Sequence, residues 1–183
     1  PSSPAAMPIP RVTATVDLSA VRHNLSCVRA LAPASKVMAA IKADGYGHGA
    51  APVAQALAAA GVDAFAVACL EEAVTLRDAG ITTRIALLEG VLSRDEAIEA
   101  AGLRLEIVIH DRWQLELLAS LPMETPLAVW FKLDSGMHRL GFPLSDARSL
   151  NDALRAHPNW QLQGWITHLA CADDLASGMT QAQ

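Results

Sequence analysis

The chain has 183 residues, 14 Lys and Arg against 19 Asp and Glu, a formal charge of -5 and 52% hydrophobic residues. That length and apolar content support one globular domain with a sizeable core. The acidic balance, with no basic stripe, excludes nucleic acid and anionic membrane surfaces as partners, and Gly61 and Asp63 interrupt the longest apolar stretch before it could span a bilayer.

Residues 1–10 are rich in Pro, Ser and Ala, carry no positive charge before a hydrophobic segment, and read as a flexible tail ahead of a folded domain over 11–183. Arg11–Val16 alternates and is β-branched, then Asp17-Leu-Ser19 opens a helical pattern through Val21, Leu25, Val28 and Leu31. Lys36–Ile41 is the first buried strand, followed by an alanine-rich helix ending near Gly61. Ala64–Ala68 is the second, with a helix from Glu71 to Ala79 stopped by Gly80. Arg84–Leu88 is the third, and Ser93 with Glu96 three residues later marks a capping box for its helix. Leu105–Ile109 is the fourth, and Asp111 is the expected N-cap of a helix through Leu118. Leu127–Leu133 is the fifth, its helix beginning near Ser145, and Leu162–Thr167 is the sixth.

Repeated strand–helix units with almost continuously apolar strands imply a parallel sheet covered by helices. A doubly wound sheet and an eight-stranded barrel both fit. No Gly-x-Gly-x-x-Gly follows the first strand, and the chemically suggestive residues follow strand ends, the face at which barrels build their sites. The expected fold is therefore α/β, a TIM-type (β/α)8 barrel represented by about six βα units. The chain stops at Ala182-Gln183, inside what should be the next helix, which reads as a truncation that leaves two sheet edges unpaired. Cys27, Cys69 and Cys171 form no metal-type pair and no disulfide framework. That fits a reducing, cytoplasmic compartment, and each is expected as a small core residue.

Two segments carry chemistry. In Ala39-Ala-Ile-Lys42-Ala-Asp-Gly-Tyr46-Gly-His-Gly49 an apolar run delivers one lysine to its C-terminal end, and a glycine-punctuated loop follows. A lysine at the mouth of a buried strand loses hydration, which penalises the ammonium form; a neutral amine attacks aldehydes, the linkage that holds pyridoxal phosphate. In Phe131-Lys132-Leu-Asp-Ser-Gly-Met-His-Arg139-Leu-Gly-Phe142 a second strand-end lysine precedes an arginine. The planar fork of arginine suits a carboxylate or phenolate oxygen, and two neighbouring cations call for an anionic partner or a modification of Lys132. Taken alone, either segment also fits an ordinary strand exit into a charged turn. His48 and His138 sit in these glycine loops and are expected as turn residues, and Asp173-Asp174 as a helix cap instead of a metal site.

Together the two segments resemble the two signatures of bacterial alanine racemases. Thr167-His168-Leu-Ala-Cys-Ala-Asp173 resembles a third stretch of that family, and Asp17-Leu-Ser-Ala-Val-Arg22-His-Asn24-Leu and Glu71-Glu72-Ala agree with it too. The likeness runs from about Arg11 to the end and covers roughly the first half of a typical member. It implies that Lys42 holds pyridoxal 5'-phosphate and moves the Cα proton on the D-alanine face. It further implies that Tyr46 hydrogen-bonds the cofactor phosphate and that Arg139 contacts the phenolic oxygen and the substrate carboxylate. Lys132 matches a lysine carbamylated in several members. His168 matches a residue that supports an arginine at the pyridine nitrogen. The family uses a second base, a tyrosine from a C-terminal β domain, placed across a homodimer interface; the one tyrosine here is Tyr46, so residues 1–183 are expected to be inactive alone. The implied reaction interconverts L- and D-alanine, for peptidoglycan or for alanine catabolism. A related racemase of serine, lysine or broader range, or a non-catalytic pyridoxal-phosphate carrier, are the alternatives.

Overall fold

The computed structural model describes residues 12–121 and 126–183; the tail over residues 1–10 and the first residue of the alternating run lie outside them. Helix α1 (Leu18–Leu31) begins where Asp17 caps it, its Oδ1 accepting the N–H groups of Ser19 at 2.8 Å and Ala20 at 3.2 Å. From β1 (Met38–Ala40) the chain passes through the single turn α2 (Lys42–Tyr46) into α3 (Ala50–Ala59). Units β2 (Ala64–Val67) with α4 (Leu70–Asp78), β3 (Arg84–Leu87) with α5 (Arg94–Gly102), and β4 (Glu106–Ile109) with α6 (Arg112–Ala119) follow. Next come β5 (Leu127–Asp134), the two-residue β6 (Phe142–Pro143), α7 (Ala147–Ala156), β7 (Trp160–Ile166) and the short α8 (Met179–Ala182).

Strands β1 to β5 lie side by side in chain order, β7 adds beside β5, and every pairing is parallel. The period-two pleat sorts their side chains. Phe65, Val67, Ile85, Leu87, Ile107, Ile109, Val129 and Phe131 are buried in the core with residues of the surrounding helices. Ala40, Ala66, Val108, Trp130 and Ile166 line the other face. That face is concave. Arg84 on β3 donates from Nη2 to Gln163 Oε1 on β7 at 3.0 Å, although a flat sheet would hold those strands about 14 Å apart, three spacings of ~4.8 Å. The wall is that of a TIM-type barrel, and small alanines on its inner face leave an open cleft.

The structure departs from the expectations in several places. Val12–Val16 finds no strand partner among the described residues and stays irregular; alternation makes a strand only where a neighbour takes its backbone hydrogen bonds. Strand β6, too short to leave a periodic trace, pairs the end of β5 through Leu133 and Asp134. The capping box is displaced by one residue: Ser93 Oγ accepts from Glu96 N–H at 3.2 Å, but Glu96 reaches back to Leu92 N–H at 2.8 Å. None of the cysteines is a buried core residue; Cys27 is exposed and Cys69 and Cys171 are half-buried, with burial still pushing the Cys69 thiol up. No helix among the described residues is long and apolar enough to cross a membrane.

Candidate active site

The residues after Lys42 form a left-handed helical turn. Ala43 (φ 51°, ψ 52°), Asp44 (φ 52°, ψ 47°) and Gly45 (φ 64°, ψ 36°) all take the αL conformation, and Tyr46 follows with φ 55°. Gly45 N–H donates to Ile41 at 2.8 Å and Gly47 N–H to Ala43 at 3.0 Å, the helical i to i−4 pattern in the disfavoured hand. Each residue with a Cβ costs about 1–2 kcal/mol there, so neighbouring groups must over-determine the turn. Asp44 Oδ1 accepts Ala50 N–H at 2.7 Å, fastening the turn to α3. Glu72 Oε1 accepts Ala43 N–H at 2.6 Å, fastening it to α4. His48 pairs through Nδ1 with the Gly45 carbonyl at 2.9 Å. Lys42 and Tyr46, at the two ends of this turn, both face the cleft.

The second segment is organised by Asp134. Its Oδ1 accepts the N–H groups of Gly136 at 3.0 Å and His138 at 2.9 Å, while Oδ2 meets His138 Nδ1 at 2.9 Å. The N–H donors of His138 and Gly136, with the His138 ring, hold the Asp134 carboxyl down at about 2 against an ordinary 3.8. Gly141, at φ +124°, lies so close to β5 that a Cβ there would sit 2.8 Å from Asp134 N, so the loop doubles back tightly and directs Arg139 into the cleft. A depressed carboxyl favours the folded loop above its unfolded value of 3.8 and loses that contribution as pH falls toward about 2. The stability difference between wild type and D134N is therefore expected to be constant at neutral pH and to vanish through that acid window. A difference independent of pH, in urea titrations of both proteins, would count against this.

The two segments converge on one cleft of about 650 Å³ at the C-terminal ends of the strands. Lys42, Tyr46, Lys132, Arg139 and His168 all line it, above an apolar wall that includes Met38, Ala40, Ala66 and Val108. Lys132 is 9% exposed; burial lowers its pKa and the nearby Arg139 lowers it further, opposed by Asp134. Tyr46 is 58% exposed, and Arg139 and His168 are also open to solvent. No side-chain hydrogen bond occupies the five polar groups among the described residues. Three cations, a phenol and an imidazole around an apolar wall form a donor set for an anionic, flat, ring-shaped ligand. Pyridoxal phosphate fits it, with an amine for its aldehyde, donors for its oxyanions and an apolar surface for its ring.

Sequence reasoning assigned no role in the cleft to several residues that shape it. Glu72 sits at the third position of α4, where its carboxylate would signal a cap, but the preceding N-cap is Cys69, which makes no side-chain cap bond. Glu89 lines the cleft, on a turn fastened by the fully buried Gln114, whose Nε2 donates to the Glu89 carbonyl at 2.9 Å. Trp130 contributes to the cleft wall. Asp173-Asp174 caps a turn, with Asp174 Oδ1 accepting Ala176 N–H at 3.0 Å, and not a helix.

Comparison with known proteins agrees with the geometry. Residues 16–183 match the family described as alanine racemase, N-terminal domain. An alanine racemase of Halorhodospira halophila is 49% identical over 174 residues, 93% of this chain and 47% of that protein. The crystal structure of the biosynthetic alanine racemase of Pseudomonas aeruginosa superposes with a TM-score of 0.86 at 45% identity, over 91% of this chain and 46% of that one. That of the Bacillus anthracis enzyme with bound L-Ala-P gives 0.82 at 29% identity, over 91% and 44%. The chain thus spans about half the length of the proteins it matches. With that match covering the whole of the cleft and the wall that carries it, the chain belongs to the alanine racemase N-terminal domain family.

Proposed function

We propose that the protein carrying this domain interconverts L-alanine and D-alanine with pyridoxal 5'-phosphate bound at Lys42. The observation that supports this most is the convergence of Lys42 and Tyr46 from one strand end, and Lys132 and Arg139 from another, on one cleft with His168. Bound there, the cofactor supplies an electron sink that acidifies the Cα proton of an attached amino acid.

The chain's own residues then have separate tasks. Lys42 Nζ would hold the cofactor and, as a free amine, would take or return the Cα proton on one face. The Tyr46 hydroxyl donates to the phosphate. Arg139 presents its fork to the phenolic oxygen and to the substrate carboxylate, and His168 supports an arginine facing the ring nitrogen. Racemisation needs a base on the opposite face, and this reading places it on a tyrosine outside residues 1–183, brought by the second subunit of a homodimer. A cytoplasmic setting accords with the three free cysteines.

Lys132 is assigned to carbamylation in this reading. Burial and Arg139 disfavour its ammonium form against the opposing pull of Asp134, and the fraction of the amine that is neutral adds carbon dioxide and releases a proton, giving a carbamate anion beside Arg139. Protein exchanged into 13C-bicarbonate is expected to show one protected carbamate resonance, missing in K132A; its absence from wild type sinks the assignment. The function itself is tested by incubating full-length protein with cofactor and L-alanine. D-alanine appearing toward a 1:1 ratio supports it, and turnover of another amino acid with none of alanine overturns it.

A further inference from the structure

We infer that Glu72 is a positioning residue for the cofactor-bearing lysine, clamping the left-handed turn that follows Lys42 onto the neighbouring strand. The inference rests on the cofactor reading given above and extends it to a residue that touches neither cofactor nor substrate.

Both oxygens of the Glu72 carboxylate are committed. Oε1 accepts the Ala43 N–H at 2.6 Å and Oε2 the Ala68 N–H at 2.7 Å. Ala43 is the residue after Lys42; Ala68 follows the last residue of β2 and lines the cleft. The side chain therefore spans two adjacent strand exits and fixes their separation at the level where the cofactor would lie. Ala43 is also the first αL residue of the turn. Its N–H stands at the open end of a helical segment, where no earlier carbonyl of that segment serves it. Without an acceptor at this point, a chain with Cβ atoms at Ala43, Asp44 and Tyr46 gains by reverting to the right-handed region. That reversal would swing both Lys42 and Tyr46, the attachment point and the phosphate donor of the reading above.

The geometry also explains why the residue is a carboxylate. Glutamine in the same volume offers one carbonyl oxygen, and its amide N–H groups would face the second backbone donor. Aspartate keeps both acceptors but falls one methylene short of Ala43. The adjacent Glu71 makes no bond to the turn; it interacts with the Cys69 thiol and serves as a control for charge.

The test uses the full-length protein stripped of cofactor, as wild type, E72Q, E72D and E71Q. The readouts are the visible-band titration with pyridoxal phosphate, the visible circular dichroism of the bound form, the yield of borohydride trapping, and thermal unfolding of the cofactor-free form. E72Q is expected to bind about tenfold more weakly, the effect of one lost charged bond and one orphaned N–H. It should also change the amplitude of the dichroic band, whereas E71Q matches wild type. Wild-type affinity and dichroism in E72Q overturn the role of Glu72 while leaving the cofactor reading intact. If E72Q loses its far-UV signal, E72D carries the comparison, and wild-type binding by E72D overturns the role equally. A wild type that never forms a reducible visible band overturns the cofactor reading and this inference with it.

Discussion

In full-length protein, K42A is expected to release pyridoxal phosphate on dialysis, to show no borohydride-trapped peptide, and to interconvert alanine enantiomers on the order of 10⁴-fold more slowly. The size follows from two losses at one atom. General acid–base transfer alone contributes up to about 10⁴-fold, and the covalent tether that orients the cofactor disappears with it. Lys132 lines the same cleft and is the only other lysine among its lining residues, so it is the internal competitor for the aldehyde. Its burial at 9% exposure beside Arg139 and Asp134 leaves it little freedom to reach a cofactor whose phosphate is held by Tyr46 beyond β1. K132A is accordingly expected to keep the trapped peptide at Lys42. Covalent cofactor retained by K42A, or trapped at Lys132 in the wild type, would exchange the roles of the two lysines and remove the basis of the proposed function.

What could be read from the sequence was whatever depends on near neighbours. The helix caps at Asp17 and Asp111, the six wall strands within two or three residues of their ends, and the placing of Lys42, Lys132, Arg139 and His168 at strand exits all follow from periodicity and turn chemistry over a few positions. The hidden features are those decided by contacts far apart in the chain. Lys-Ala-Asp-Gly-Tyr has one glycine and so announces a loop, yet the five successive residues from Ala43 to Gly47 take positive φ, because Glu72 of α4 holds the turn at Ala43 and Asp44 ties it to Ala50 of α3. Glu106 lies in an apolar strand as one acidic residue, and only the curl of the sheet shows what it serves. Strand β6 owes its existence to the Asp134 turn and not to its own two residues.

Removing the Glu106 carboxylate is expected to weaken the barrel wall and the cleft together. Glu106 is 4% exposed on β4, where it pairs through Oε1 with Arg84 Nε of β3 and accepts the Trp130 indole N–H of β5 through Oε2 at 2.7 Å. Arg84 in turn reaches Gln163, so one carboxylate ties four strands across the concave floor. In E106A the indole N–H is orphaned and a cavity opens beside it. Each costs about 1–3 kcal/mol. Arg84, whose side chain is 42% exposed, can turn to water, so the full 3–5 kcal/mol of a broken buried pair does not apply. A loss of about 2–4 kcal/mol, read as a lower urea midpoint with an unchanged slope, is the expected outcome, with E106Q intermediate because its carbonyl still serves the indole. The damage should also reach the cleft. Trp130 lines it, and its ring packs against Gly164 so closely that a Cβ there would lie 2.7 Å from Cζ3. An indole freed from Glu106 cannot move into β7 and must tilt into the space beside Lys132. E106A is therefore expected to bind pyridoxal phosphate more weakly even below its unfolding midpoint, whereas wild-type affinity combined with wild-type stability would show that Trp130 is held by packing alone.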